Sequence, residues 1–185
     1  MKNHSSRGRR SFLKGVSALS GGLALLGNRA ATALSSRTDN RAISFVHTHT
    51  GEKLTAPYFE AGQYRPECLS EVNHLLRDFR TGDVFPIDPS LLDILFYLRE
   101  AAQCDAPFQV ISGYRSPMTN ALLRQHSEGV APHSLHLEGR AIDVRLGGHA
   151  TKELAMAARS LSRGGVGFYP ASDFVHVDTG RVRFW

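Results

Sequence analysis

Two short stretches near the C-terminal end carry side chains that can bind a metal ion. The first, residues 134–144, contains His136 and Asp143, and the second, residues 173–178, contains His176. Two imidazoles and one carboxylate leave the fourth position of a tetrahedral site open, which is typical of catalytic rather than structural zinc. The sequence therefore predicts that a zinc ion is bound by His136, Asp143 and His176.

Both stretches contain residues that favour β-strands. Side chains alternate between the two faces of a strand, so Asp143 lies on the face opposite its aliphatic neighbours Ile142 and Val144. In the same way, His176 shares a face with Asp178, opposite two valines. If the two strands pair, their polar faces come together while their aliphatic faces enter the core. The pattern therefore predicts that the metal ligands converge.

An upstream segment, residues 112–117, supplies a cation. Gly113 follows a short apolar run and lets the backbone turn sharply, which places Arg115 at the end of a strand. The planar guanidinium of Arg115 can bind a carboxylate, and a surface ion pair is the alternative. His133 precedes His136 by three residues, but Pro132 argues against a helix there. We interpret His133 as a loop residue or as the partner of a ligand.

Periodic segments along the chain must position these residues. Apolar residues at helical spacing predict helices at residues 66–80, 89–103, 119–126 and 150–163. Asp88 followed by Pro89 is a typical helix start. Further strands are predicted at residues 42–47, 54–59, 108–111 and 164–169. The last of these is rich in glycine but lacks the lysine and the helix of a phosphate-binding loop, so its glycines indicate close backbone approach.

The formal net charge of +5 arises in the N-terminal segment. Residues 1–33 hold six of the 22 Lys and Arg residues and no Asp or Glu, which leaves 16 basic against 17 acidic residues in the rest. A nearly neutral domain gives no support to nucleic-acid binding. The 42% hydrophobic and 21% charged residues are typical of a globular domain with a hydrophobic core.

The N-terminal segment is typical of an export signal. Arg9 and Arg10 precede a weakly apolar run at residues 16–26, as in twin-arginine signals, and Ala31-Thr32-Ala33 resembles a cleavage site. The run falls well short of the ~20 apolar residues that span a bilayer, although a short membrane anchor is the alternative. We predict a signal at residues 1–33, a flexible mature N-terminus at 34–41 and one domain at 42–185, with no stable membrane insertion after signal removal.

Cys68 and Cys104 are the only two cysteines. A compartment outside the cytoplasm permits a disulfide between them. Neither cysteine belongs to a CxxC motif, and sequence spacing alone does not distinguish a disulfide from two buried thiols. Both alternatives stay open at this point.

Taken together, the motifs resemble those of a known superfamily. They are Ser-x-His-x-x-Gly-x-Ala-x-Asp at residues 134–143, Asp-x-x-His-x-Asp at 173–178 and Ser-Gly-Tyr-Arg at 112–115. This combination is similar to that of the zinc D-Ala-D-Ala metallopeptidases and their lysostaphin-type relatives, and in particular to the MepK-like murein endopeptidases. The resemblance covers nearly the whole predicted domain, from about residue 42 to residue 185.

The resemblance implies a fold and an activity. The fold is α+β, with a small antiparallel sheet that carries the zinc site and is flanked by helices. The activity is zinc-dependent cleavage of peptide cross-links in peptidoglycan, whose peptide stems are the substrate, in the periplasm. One alternative is a D-Ala-D-Ala carboxypeptidase or dipeptidase of the same fold. The other is a non-catalytic module that binds zinc and the cell wall.

The resemblance also implies roles for further residues. Asp173 occupies the place of a general base, at the mouth of the last strand, while Asp178 is expected to support a zinc histidine. Some relatives carry an amide at the position of Asp173, so Asp178 is the alternative base. Arg115 is expected to stabilise an oxyanion or to bind a substrate carboxylate. Ser134 is expected to contact the substrate or to support its loop, and Tyr114 is expected to contact the substrate.

Overall fold

The computed structural model describes residues 40–126 and 129–185, which form one eight-stranded sheet and four α-helices. The predicted export signal at residues 1–33 lies outside the described residues, as does most of the segment at 34–41. No helix in the described ranges is long and apolar enough to cross a membrane. The strands are β1 (Arg41–His47), β2 (Lys53–Glu60), β3 (Gln63–Tyr64), β4 (Phe108–Ser112), β5 (Ala141–Leu146), β6 (Gly165–Tyr169), β7 (Phe174–Asp178) and β8 (Arg183–Phe184). The helices are α1 (Pro66–Leu75), α2 (Pro89–Ala101), α3 (Pro117–His126) and α4 (Thr151–Leu161).

The strands form a mixed sheet in the order β3-β2-β1-β4-β5-β7-β6-β8. The predicted α+β class is confirmed, but the sheet is larger than expected and is not wholly antiparallel. Strands β1 and β4 are parallel because α1 and α2 lie between them in the chain, and β6 and β8 are parallel as well. The strands β4, β5, β7 and β6, which surround the predicted site, are antiparallel neighbours.

Helices pack on the sheet and enclose the hydrophobic core. Helix α1 lies on β2, α2 contacts β1 and α4, and α4 contacts β5, β6 and β7. On β5 and β7 the aliphatic side chains enter this core, as their alternation predicts, because Ile142, Val144 and Val175 are fully buried. Other fully buried core residues are Ile43, Tyr58, Leu76, Leu91, Leu92, Leu95, Leu98, Phe108 and Val110.

Local hydrogen bonds determine where α2 begins and where α1 ends. Helix α2 begins as predicted, with Pro89 in its first turn and the carboxylate of Asp88 accepting a 2.9 Å hydrogen bond from the backbone N–H of Ser90. Helix α1 ends at Leu75, five residues before its predicted end. The buried carboxylate of Asp78 accepts the backbone N–H groups of Arg80 and Ser116, so it holds the chain in a turn instead.

Both cysteines are free thiols that are partly buried against the core. The sulfur of Cys104 lies 3.5 Å from the carbonyl oxygen of Gly147 and 3.4 Å from the backbone nitrogen of Ala106. The structure therefore has the second of the two alternatives left open by the sequence.

The segment that carries His136 is a short 3-10 helix, Leu135–Glu138, and not a strand. The hydroxyl of Ser134 accepts the backbone N–H of His136 at the start of this helix, and Gly139 ends it with a left-handed φ of 65°. The strand interpretation of residues 134–140 was therefore wrong, because a side-chain cap and a left-handed glycine override the strand propensity. Strand β5 starts only at Ala141.

We predict that Gly139→Ala destabilises the fold more than Gly148→Ala. Both glycines have positive φ, so each alanine variant incurs backbone strain of about 1–2 kcal/mol. A Cβ atom at Gly139 would also overlap the backbone carbonyl of Pro86, whereas nothing lies within 4 Å of a Cβ atom at Gly148. Urea unfolding of the two variants measures the difference. Equal losses would contradict the close approach of Pro86 to the loop before β5.

Candidate metal centre

His136, Asp143 and His176 come together as the sequence predicts. Their potential ligand atoms all lie within 4.8 Å of one another, and all three residues are buried. His176 Nδ1 lies 2.9 Å from Asp143 Oδ1 and 3.2 Å from His136 Nε2, while His136 Nε2 lies 3.3 Å from Asp143 Oδ1. One atom of each side chain therefore points at the same small volume.

Strand register and the 3-10 helix produce this convergence. Asp143 on β5 is the direct cross-strand partner of His176 on β7, so the two side chains lie beside each other on the same face of the sheet. His136 enters from the 3-10 helix that precedes β5. Its carbonyl oxygen accepts the backbone N–H of Arg115 at 3.1 Å, which ties the loop after β4 to the site.

Each imidazole has one nitrogen held by the protein and one nitrogen facing the group. His136 Nδ1 donates a 2.7 Å hydrogen bond to the carbonyl of Gly113, and His176 Nε2 donates a 3.0 Å hydrogen bond to Asp178. This leaves His136 Nε2 and His176 Nδ1 to act as ligands. Metal-binding histidines usually have such outer partners, which fix the tautomer and the ring orientation. The residues therefore fit a zinc ion with three protein ligands.

Burial and mutual contacts set the protonation of the three groups. Burial lowers the pKa of His136, so its imidazole is neutral near pH 7. Burial alone would raise the pKa of Asp143, but the two imidazoles outweigh it, and the pKa falls well below its usual range. Burial also disfavours a charged His176, yet hydrogen bonds to Asp143 and Asp178 raise its pKa to about 9. A ligand imidazole must be neutral, so metal binding displaces a proton and is favoured as the pH rises.

Arg115 lies beside the group with its charge directed at Asp143. Its Nη2 atom is 3.7 Å from Asp143 Oδ2, and its Nη1 atom is 3.5 Å from the amide oxygen of Asn120. Within the described ranges, the buried Nε atom of Arg115 has no hydrogen-bond partner. The guanidinium is thus held close to the metal ligands with donor capacity left for an anionic group.

The three candidate ligands form part of the wall of a cleft of about 370 Å³. Arg115, Ser134 and His133 also line it. The remaining wall contains an aromatic cluster made of Tyr169, Phe174 and Trp185. A larger groove of about 690 Å³ lies between β2 and α1, but its lining residues include none of the three ligands, so the smaller cleft is the candidate active site.

Asp178 is fully buried and is committed to other protein groups. It accepts hydrogen bonds from His176, from the guanidinium of Arg183 and from the backbone N–H groups of Gly165 and Gly180. Burial opposes ionisation, but these hydrogen bonds outweigh it and lower the pKa of Asp178. The geometry is that of a carboxylate that orients a metal-binding histidine.

Asp173 is exposed and lies at the rim of the cleft. Its carboxylate accepts a 2.8 Å hydrogen bond from the hydroxyl of Thr151 and lies 3.3 Å from the Nε atom of Arg145. Its neighbours Ser172 and Phe174 line the cleft, whereas Asp173 itself is not among the described lining residues.

Tyr114 and Ser134 differ in their relation to the cleft. Ser134 lines it and also caps the 3-10 helix of His136. Tyr114 is 9% exposed and stacks on Phe85 with ring centres 4.8 Å apart, outside the described lining residues.

Two contacts of the site were not predicted from the sequence. One is the carbonyl of Gly113, which holds His136, and the other is the ion pair between Arg183 and Asp178. The glycines at 164, 165 and 167 were a signal for the second, since they indicate that other groups approach β6 closely.

Comparisons with known proteins find a matching family and curated relatives. Residues 35–185 match the family described as peptidoglycan L,D-endopeptidase MepK. The curated peptidoglycan L,D-endopeptidase MepK of Escherichia coli (strain K12) is 43% identical over 145 residues, which are 78% of this chain and 80% of the relative. The probable peptidoglycan L,D-endopeptidase MepK of Haemophilus influenzae is 39% identical over 165 residues, which are 89% of this chain and 88% of the relative.

We predict that His136→Ala and His176→Ala abolish zinc binding, because each variant removes one of the three potential donors that come together in the described part of the chain. His133→Ala is the matched control, since His133 lines the same cleft but lies outside the donor group, and it should keep about one zinc per chain. Elemental analysis of the purified proteins measures the metal. Full zinc occupancy in both ligand variants would contradict the assignment.

Proposed function

The chain belongs to the family of the peptidoglycan L,D-endopeptidase MepK, and we propose that it hydrolyses peptide cross-links of peptidoglycan with the help of zinc. It is a murein endopeptidase and therefore a hydrolase. The observation that carries the zinc proposal is the buried group of His136, Asp143 and His176 in the wall of a cleft. The names of the relatives specify an L,D bond, and we propose the same bond for this chain.

His136, Asp143 and His176 are the proposed zinc ligands. A zinc ion held by these three residues would supply Lewis acidity for the activation of water and the polarisation of the scissile carbonyl. The ionised Asp143 contributes the negative charge of the ligand set, and the neutral His136 contributes Nε2. Asp178 and the carbonyl of Gly113 hold the two imidazoles from behind, so that the ligands need little rearrangement on binding.

Arg115 is the proposed electrostatic partner of the substrate. Its guanidinium lies against the ligand group, and its Nε atom has no hydrogen-bond partner among the residues that the structure describes. It can stabilise negative charge that develops on the scissile carbonyl oxygen, or it can bind a carboxylate of a peptide stem. Peptide stems of peptidoglycan carry free carboxylates, so the second role suits this substrate. Ser134, in the cleft wall, and Tyr114, which stacks on Phe85, are the further proposed substrate contacts.

Asp173 is the proposed general base. Asp178 is buried and fully hydrogen-bonded, whereas the carboxylate of Asp173 is exposed next to cleft residues. A base must reach the attacking water, take its proton and deliver that proton to the leaving amine. To do so, the carboxylate of Asp173 must release Thr151 and Arg145, a rearrangement that an exposed side chain can make at small cost.

We further propose that the protein acts in the periplasm and is exported by a twin-arginine signal. The relatives are peptidoglycan enzymes, and their substrate lies outside the cytoplasm. Arg9 and Arg10 ahead of a short apolar run support this route.

Defined cross-linked muropeptides test the proposed bond specificity. The purified zinc-loaded protein is incubated with one dimer joined through an L,D bond and with one joined through a D,D bond, and mass spectrometry identifies the products. We expect cleavage of the L,D dimer at least about 100-fold faster, as is typical of a site that positions one stereochemistry for reaction. Release of D-Ala from uncross-linked stems would instead show a carboxypeptidase. A zinc-loaded protein that releases no product would show a non-catalytic module.

We predict that Asp173→Asn and Asp178→Asn have different effects. Loss of a general base should reduce turnover of Asp173→Asn by at least about 100-fold while zinc remains bound. Loss of the orienting carboxylate should weaken zinc binding by Asp178→Asn about 10- to 100-fold. Turnover and zinc affinity are measured for both variants. An active Asp173→Asn together with an inactive Asp178→Asn that holds zinc normally would make Asp178 the base.

Export provides a separate prediction. Replacement of both Arg9 and Arg10 by lysine should leave the precursor in the cytoplasm, because the twin-arginine route depends on the arginine pair. Cell fractionation followed by immunoblotting measures the distribution, and Arg7→Lys is the matched control. Export of the double variant at the wild-type level would point to a different signal.

A further inference from the structure

The last strand, β8, brings an arginine against the back of the metal centre. Arg183 forms two parallel hydrogen bonds with Asp178, from Nη1 to Oδ1 at 3.1 Å and from Nη2 to Oδ2 at 2.7 Å. Such a paired fork fixes the plane of the carboxylate as well as its position. The Oδ2 atom that accepts Nη2 also accepts the Nε2–H of His176 at 3.0 Å. Arg183, Asp178 and His176 thus form one continuous chain of contacts.

We propose that Arg183 is a positioning residue of the metal centre, which acts through Asp178 to hold the imidazole of His176 with Nδ1 directed at the metal. This inference rests on the proposed zinc site. Asp178 is completely buried, and two of its hydrogen bonds come from Arg183. Among the described residues, Arg183 and His176 are the two cationic side chains that contact this carboxylate. Without the guanidinium, the carboxylate keeps only His176, and its plane is no longer fixed.

Trp185 also contacts the guanidinium. The Cζ atom of Arg183 lies 4.8 Å from the centre of the indole ring, a distance typical of a cation–π contact. The indole N–H donates a 2.8 Å hydrogen bond to the hydroxyl of Tyr169, and the backbone N–H of Trp185 bonds to Val166 on β6. The guanidinium is therefore held by contacts with a buried carboxylate and with an anchored aromatic ring.

The glycines of β6 leave space for the side chains of Asp178, Arg183 and Trp185. Gly165 is the strand partner of both Asp178 and Arg183, and a Cβ atom there would overlap the Asp178 carboxylate and the Arg183 guanidinium. A Cβ atom at Gly167 would lie 2.6 Å from the indole of Trp185, well inside van der Waals contact. The glycine-rich run thus accommodates the side chains that hold His176, which explains a motif that the ligand set alone leaves without a role.

Arg183 has two other possible roles, because it is partly exposed and lines the cleft. It could bind a carboxylate of the substrate directly, or it could contribute only to the stability of the fold. Zinc affinity distinguishes positioning from both, since neither a substrate contact nor a general stability effect changes the orientation of His176.

The experiment measures the zinc dissociation constant by chelator competition, together with the melting temperature of the metal-free protein. We expect Arg183→Ala to weaken zinc binding about 10-fold, the lower end for outer partners of metal ligands. Arg183→Lys should recover part of this loss, because lysine keeps the charge but not the two-bond geometry. Arg181→Ala is the matched control, since it removes an exposed arginine two residues away, and it should bind zinc like the wild type.

A double-mutant cycle tests whether Arg183 acts through Asp178. In the Asp178→Asn background, Arg183→Ala should cause no further loss of zinc affinity, because the carboxylate that links it to His176 is gone. Additive losses of zinc affinity in the double variant would overturn the proposal. So would an Arg183→Ala variant that binds zinc with wild-type affinity but has a raised KM or a lowered melting temperature. If Arg183→Ala does not fold, Arg183→Lys and Gly165→Ala provide the same comparison, and unchanged affinity in both would overturn it.

The outcomes also separate this inference from the proposed function. A wild-type protein that binds no zinc would overturn both. If Arg183→Ala binds zinc as tightly as the wild type does, only the proposed role of Arg183 is overturned. The zinc peptidase assignment then stays intact.

Discussion

The buried negative charge of Asp143 is the constraint on which the site depends. Asp143 is 6% exposed. Burial of an ionised carboxylate costs several kcal/mol of folding free energy unless positive or hydrogen-bonding groups surround it. Strand β7 supplies His176 directly opposite, the 3-10 helix supplies His136, and the loop after β4 supplies the guanidinium of Arg115. A divalent cation between these groups satisfies the same charge, so the packing that stabilises the fold and the geometry that suits zinc arise from one arrangement.

A second buried carboxylate, that of Asp178, lies behind His176 and imposes the same constraint. Asp178 is also buried, and it is balanced by His176 on one side and by Arg183 on the other. His176 therefore lies between two buried carboxylates, one on the metal side and one behind it. The order of the strands makes this possible, because β7 lies between β5, which carries Asp143, and β6, whose glycines leave space for Arg183. The core valines of β7 anchor this layer from the opposite face.

Alternation along strands allowed much of the site to be predicted from the sequence. It placed Asp143 and His176 on polar faces, and it placed Asp178 on the face of His176, because a buried aliphatic side fixes the register. The conformation around His136 was not predictable in this way, since a serine cap and a left-handed glycine decide it locally. Arg183 was missed for a different reason: the parallel pairing of β6 with β8 brings it to Asp178, and the glycines of β6 indicate a close approach without identifying the residue that approaches. The eight-stranded extent of the sheet depends on the same kind of long-range pairing.

X-ray absorption spectroscopy at the zinc edge reports which atoms surround the metal in the wild-type protein. A centre formed by His136, Asp143 and His176 predicts a first shell of only nitrogen and oxygen atoms at about 2.0–2.2 Å, with the outer scattering of two imidazoles. Sulfur at about 2.3 Å would indicate that Cys68 or Cys104 binds the metal. Such a shell, or one with fewer than two imidazoles, would contradict the centre formed by His136, Asp143 and His176.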